Sequence, residues 1–404
     1  MAKKTQPIKK NSNEDSPEEI MRKAIEDSHI GSPCSKSDGE SCSSEKIKIS
    51  QKDENTYKEL GLTKYDLFAA LKNMMKARYT DEKHLTLVKQ GKSYFHIGGS
   101  GHEAVQTAIG FQLDDSAWGW TYYRDLAFVY SRGFTPRDYF LLAFGKKDDP
   151  ATGGRQMPGH YGHPKLNLPT QSSPTGTQFL NAVGTALASK KLGTNEIVYV
   201  ASGEGTTSQG EFYEAVNWAS RDKLPVIFCI QDNGYAISVP REKQSMGESV
   251  GHTFCCYQNL KMMTFDGTDY LASVKAAKEA IEYINSGRGP VLMHALVERL
   301  LPHSSSDDHR KYRKEDELNR IHTENDCIKI LANYLVDINL SDEDEINRLW
   351  DEVKKEIDEA ADWAWEQPDP IAEESTLHIF APEETRNLPY AQSEPKEGQP
   401  IVLV

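Results

Sequence analysis

Two short segments hold the residues best able to do chemistry. Ser202-Gly203-Glu204-Gly205-Thr206-Thr207 follows one apolar run, and Gln231-Asp232-Asn233-Gly234-Tyr235 follows the next. In an open parallel sheet, ligands gather beyond the carboxyl ends of the strands, so both segments are expected to face one pocket. Glycines there let backbone amides approach an anion at a helix N-terminus, where the dipole favours phosphate. Glu204 by itself would repel that anion. It makes chemical sense when a hard divalent cation stands between them, with Asn233 adding a neutral oxygen, and magnesium and calcium both satisfy that need. The bland alternative is a glycine turn followed by an Asn-Gly turn. Gly203, Gly205 and Gly210 lack the GxGxxG spacing of a dinucleotide site, and no Gly-Lys-Ser/Thr follows them to make a phosphate loop of the Walker type.

The elements around these segments alternate. A helix over 179–191, an apolar run over 197–201, a helix over 210–221 and a second apolar run over 226–230 describe a βαβ unit whose strands are covered on both faces. A strand over 260–265, a helix over 270–285 and a strand over 291–297 extend the alternation, which predicts an α/β fold with a doubly wound, mostly parallel sheet and helices on both faces. Upstream, Thr63 with Asp66 forms a capping-box pattern before Leu67, Phe68, Leu71, Met74 and Met75 at helical spacing. Further helices are expected over 102–113 and from Thr135-Pro136 to a Gly145 stop, and two more beyond Lys314, through Val336 and over 342–363. Residues 146–178 show neither periodicity but carry His160, Tyr161 and His163, which argues for a functional loop. His160 and His163 alone, three apart and without a third ligand nearby, are a weak metal signal, and positioning of the loop or substrate is the better reading.

Composition bounds the rest. With 47 Lys+Arg against 61 Asp+Glu the net charge is −14, which disfavours nucleic acid and anionic lipid as partners. No window approaches the ~20 apolar residues of a bilayer span, and Met1 to Lys10 lacks the apolar core of a secretion signal, so a soluble intracellular protein is expected. Early acidic residues from Glu14 to Glu19 favour a bacterial cytoplasm over import into a mitochondrion. Six scattered cysteines fit a reducing compartment. Three regions are expected: a mobile tail over 1–55, an α/β domain over 56–365, and a Pro-rich, acidic extension or linker over 366–404. The last residues, Ile401 to Val404, are wholly apolar, as if they dock on a partner or the natural product continues into a fused domain.

The motifs also carry a family likeness. GEG at 203–205, about thirty residues, then DNGYAIS at 232–238 resembles the thiamine-diphosphate motif that begins GDG and ends in paired asparagines. From about Leu60 to Trp363 the chain resembles the alpha subunit of the decarboxylating component of 2-oxo acid dehydrogenase complexes. GRQMPGHYG (154–162), SSPTGTQ (172–178) and HSSSDD (303–308) are similar to the branched-chain, 2-oxoisovalerate type. The resemblance implies thiamine-diphosphate-dependent oxidative decarboxylation of a branched 2-oxo acid, with reductive acylation of a lipoyl domain on an acyltransferase component. It also implies a beta subunit, in an α2β2 heterotetramer, that supplies the glutamate activating the cofactor. Pyruvate or acetoin chemistry, and a non-catalytic cofactor-binding assembly subunit, are the alternatives.

Carried over by position, the resemblance implies that Glu204, Asn233 and the carbonyl of Tyr235 hold magnesium. Tyr123, Arg124 and His303 would bind phosphate oxygens, Gly203, Gly205 and Thr206 would line the diphosphate, and Ser173 and Thr175 would position the aminopyrimidine. Ser172, Pro174, Thr177 and Gln178 resemble a potassium site. His303 is the expected catalytic acid or base. The sequence departs from the family at Gln231, where an arginine is expected, at Asp232, the first of the paired asparagines, and at Tyr122, a glutamine position. A lost guanidinium would cost a diphosphate contact that Arg299 could replace. In mitochondrial relatives the loop holding Ser304 is a phosphorylation site.

Overall fold

The computed structural model describes residues 45–47, 49, 53–244, 250–254 and 256–377. The expected mobile tail therefore lies mostly outside the described residues, as does the apolar end at 401–404. The strands are β1 (Glu45–Ile47), β2 (Trp118–Trp120), β3 (Val198–Gly203), β4 (Val226–Asp232), β5 (Tyr235–Ala236), β6 (Val239–Pro240), β7 (Lys261–Asp266) and β8 (Val291–Leu296). Six of them form one sheet in the order β1-β7-β8-β4-β3-β2, every pair parallel; β5 and β6 form a separate antiparallel hairpin.

Besides a single turn at Thr56–Glu59, the helices are α1 (Lys64–Lys89), α2 (Glu103–Gln112), α3 (Leu126–Ser131), α4 (Pro136–Phe144), α5 (Thr177–Leu192), α6 (Gly210–Asp222), α7 (Tyr270–Asn285), α8 (Glu315–Thr323), α9 (Cys327–Asp337) and α10 (Glu343–Trp365). Helix starts follow local chemistry. Thr63 and Thr135 both build full capping boxes, with Asp66 and Asp138, and Gly145 closes α4 at a left-handed φ of 66° that glycine adopts without steric cost.

Two apolar clusters lie on opposite faces of the sheet, because strand side chains alternate. Tyr199, Ala201, Ile227 and Cys229 join the cluster that contains α1 to α4, α7, α9 and α10. Val198, Val200, Phe228 and Ile230 face the other way, onto α5 and α6. The doubly wound α/β sheet is thus as the apolar runs predict. Three elements have no clear signature in the sequence, namely β1, β2 and α3. The two strands are three residues long, and Trp-Gly-Trp in β2 shows no alternation to read. The stretch read as a helix through Val336 is two helices, because Asp326 starts a new one by accepting the N–H of Ile328.

Residues 146–178 are irregular but tightly built. Asp149 accepts the N–H groups of Ala151, Thr152 and Gly154, and Gln171 donates its N–H to the carbonyl of Tyr161. The chain after α10 returns to this loop, where Lys146 pairs with Asp369 at 2.9 Å and Arg155 donates to the carbonyl of Glu374.

Candidate active-site cleft

Gly203 ends β3 and Asp232 ends β4, so Glu204 and Asn233 leave adjacent parallel strands side by side at their carboxyl ends. They border a cleft of about 260 Å³. Tyr123, Arg124, Thr175, Gly203, Gly205, Thr206, Tyr235 and His303 also line it, so residues far apart in sequence converge there. The Gly205 backbone has no room for a side chain, since a Cβ would stand 2.5 Å from that of Ala236. Ala236 belongs to the β5–β6 hairpin, which closes one side of the cleft.

Glu204 is buried, and its Oε2 accepts the N–H of Asn233 at 3.3 Å while its Oε1 has no partner. Burial, then the negative charge of Asp232, push the Glu204 carboxyl up to about 7. A buried carboxylate with one idle oxygen, in a cleft that Asn233 also lines, fits a hard dication. Among the described residues no group of three or more His, Cys, Asp or Glu side chains gathers as a metal cluster. Such an ion would have to complete its shell with backbone and ligand oxygens, as a metal bridging to a diphosphate does.

On the opposite wall Arg124 is buried, and its Nη2 donates to both Nδ1 and the carbonyl of His303, at 3.0 and 3.1 Å. Burial, then the charges of Arg124 and Arg299, lower the His303 imidazole to about 4. It is therefore a neutral ring at neutral pH. The N–H of His303 donates to Asp307 at 2.8 Å, which fixes the turn. Ser304 is buried, with its hydroxyl 3.0 Å from that of Ser306.

Other predicted residues lie behind the cleft. Ser173 bonds His160 Nε2 at 2.8 Å, and the other nitrogen of His160 faces the Met157 carbonyl. His163 accepts the N–H of Lys165 at 3.3 Å. The two histidines therefore make these hydrogen bonds within the 146–178 loop. Gln178 accepts the N–H of Gly176 and donates to the carbonyl of Ala201, tying the 172–178 segment to β3. Arg299 is wholly inside, donating to the Ile237 carbonyl at 3.0 Å and the Tyr312 hydroxyl at 2.7 Å. Its guanidinium holds the hairpin tip from behind, where Ile237 sits at φ 57°, a left-handed conformation unusual for a β-branched residue.

The departures at 231 and 232 also point away from the cleft. Gln231 has no exposed surface and does not line the cavity; it donates to Asp125 at 2.7 Å and accepts from Gln106 and Tyr122. The glutamine at 231 thus spends its amide on this buried network rather than on the cleft. The sequence reading gave no role to Ala236 and Ile237, although both lie inside the 232–238 motif, nor to Arg241, which lies outside it. For Arg241 only an acid standing in for an amide at 232 hints that a counter-charge must come from elsewhere.

A cleft at the strand ends of a doubly wound sheet, with one idle carboxylate and an Arg–His pair, is the arrangement of a ligand-binding α/β protein. Residues 71–373 match the family model described as dehydrogenase E1 component, and the chain belongs to that family. It is 37% identical over 328 residues to the 2-oxoisovalerate dehydrogenase subunit alpha of Bacillus subtilis, covering 81% of this chain and 99% of that protein. It is 31% identical over 297 residues to the pyruvate dehydrogenase E1 component subunit alpha of Staphylococcus aureus, covering 73% and 77%. The corresponding protein of Staphylococcus epidermidis is 31% identical over 317 residues.

Proposed function

We propose that this chain is the alpha subunit of a branched-chain 2-oxo acid dehydrogenase. With a beta subunit it decarboxylates acids of the 2-oxoisovalerate type and passes the acyl group to a lipoyl domain of an acyltransferase component, in a bacterial cytoplasm. The observation that carries this reading is the meeting of Glu204, Asn233 and the Arg124–His303 pair around one cleft, in a chain with 37% identity to a named 2-oxoisovalerate dehydrogenase subunit.

Thiamine diphosphate, when bound, supplies the electron sink for loss of carbon dioxide. The chain's own residues bind and orient. Glu204, Asn233 and the Tyr235 carbonyl would hold magnesium, and Arg124 and Tyr123 would meet phosphate oxygens with charge-assisted and neutral bonds. Gly203, Gly205 and Thr206 bring the backbone close. Ser173 and Thr175 stand at the loop that would receive the pyrimidine, and Ser172, Pro174, Thr177 and Gln178 would hold potassium behind it.

His303 is the proton-handling group. Arg124 can only donate, so Nδ1 of His303 must accept, which leaves the proton on Nε2. His303 thus acts as a hydrogen-bond donor in the resting site and takes up a proton more readily once anionic ligands offset the two arginines.

The test is a titration of thiamine diphosphate into the chain with its beta partner, with and without magnesium. Binding that needs magnesium and is lost in Glu204→Gln is expected; binding indifferent to both would overturn the reading. The pure chain without its partner is expected to show no turnover. Rates on 2-oxoisovalerate, pyruvate and acetoin then rank the substrates, with the branched acid first.

A further inference from the structure

Asp232 precedes Asn233 at the end of β4, and its side chain has no exposure. A carboxylate so placed must be compensated, because burying an unpaired charge is costly. Its Oδ2 accepts from Arg241 Nη1 at 2.6 Å and faces His294 Nε2 at 2.7 Å, while its Oδ1 accepts the N–H of Gly234 at 2.9 Å. His294 belongs to β8, the neighbour of β4.

The position of Arg241 matters most. From Asp232 the chain runs through Asn233 and Gly234, pairs β5 with β6, and comes back at Arg241, whose N–H donates to the Gly234 carbonyl at 3.0 Å. The Asp232–Arg241 ion pair therefore closes the hairpin across its base, and His294 fastens the same carboxylate to the sheet. Asn233 and Tyr235 lie inside the closed ring. A neutral side chain at 232 would need no cation across that base.

We propose that the Asp232–Arg241 pair, backed by His294, is a staple that sets the cation-facing hairpin, making Arg241 a positioning residue for the Asn233 side chain and the Tyr235 carbonyl. The proposal rests on the cofactor reading above for what the hairpin holds, but the staple itself can be examined without any ligand.

Two measurements on the full chain test it. One is magnesium affinity in the presence of thiamine diphosphate and the beta partner; the other is hydrogen–deuterium exchange of residues 233–240 in the cofactor-free chain. Arg241→Met is expected to weaken magnesium by about tenfold or more and to speed exchange in the hairpin but not in β3. Arg241→Lys should fall between the two. Asp232→Asn combined with Arg241→Met should return affinity to within about threefold of the starting protein, because the amide removes the charge that required a partner. Wild-type affinity and exchange in Arg241→Met would overturn the staple, as would a double variant as weak as Arg241→Met alone. Should the unaltered enzyme show no magnesium-dependent cofactor binding, the functional reading falls, and the exchange data still decide between a stapled and an unstapled hairpin. The Arg241 side chain is about one-third exposed, so its replacement leaves the core intact.

Discussion

Arg124 and His303 lie 179 positions apart in the chain, yet the guanidinium of one donates to the imidazole Nδ1 of the other at 3.0 Å. The contact does two things at once. It selects the tautomer with the proton on Nε2, and it adds a permanent positive charge against a ring that burial already disposes to stay neutral.

Replacing Arg124 by Met should therefore raise the His303 imidazole from about 4 toward its ordinary range. A ring whose basicity is depressed in the folded state takes up its proton only at lower pH, so its stability contribution is full above about pH 6.5 and is lost as pH falls toward 4. Proton NMR titration of the cofactor-free chain reads this directly, and an unmoved midpoint in the variant would contradict the assignment.

Glu204 behaves in the opposite sense. Its carboxyl, raised to about 7, keeps a proton that the unfolded chain gives up near 4.5, so the cofactor-free protein loses stability from this group as pH rises between those values. Glu204→Gln should unfold at a higher temperature than the parent at about pH 8 and lose its response to magnesium with thiamine diphosphate. Melting curves with and without those ligands check both halves.

Gly205→Ala is a purely steric probe. The added methyl would press on Ala236 at 2.5 Å and displace the hairpin wall. Cofactor affinity is expected to fall by about tenfold or more, since a misplaced wall costs binding that remote stability does not share. Calorimetric titration alongside a melting curve separates the two effects.

Arg78, which does not line the cleft, offers a contrast. It bridges Glu103 at 2.6 Å and Asp326 at 3.0 Å inside the protein, joining α1, α2 and the start of α9. Arg78→Met leaves two buried carboxylates without their cation and should cost about 3–5 kcal/mol in denaturant unfolding. Cofactor affinity measured on the remaining folded protein should be close to the parent's.

Much of the frame is legible in the sequence because burial on both faces writes itself as unbroken apolar runs, as in β3 and β4, and because Thr63 and Thr135 carry their caps within four residues. Glu204 and Asn233 are legible for the same reason: each follows its strand directly. Arg124 with His303 becomes visible only through family likeness, since no local pattern links positions that far apart. Arg299 shows how little residue type alone says. A lone arginine near a phosphate site invites an anion contact, yet here its Nη1 and Nη2 donate to the Ile237 carbonyl and Tyr312 while its Nε is buried without a partner. The left-handed Ile237 has no signature at all, because its conformation is imposed by the hairpin around it.

Gly203 and Gln231 face each other in register on adjoining strands. The gap between the two ligand-bearing segments is then inherited from the spacing of a parallel sheet, about 4.8 Å, rather than chosen by loops. The separation at which Glu204 and Asn233 leave the sheet is consequently a property of the backbone lattice, on which the β5–β6 hairpin is then built. On the proposed reading, an acid one methylene shorter at 204 would draw its carboxylate back from the Asn233 side, so this lattice would bear on which ion the cleft suits.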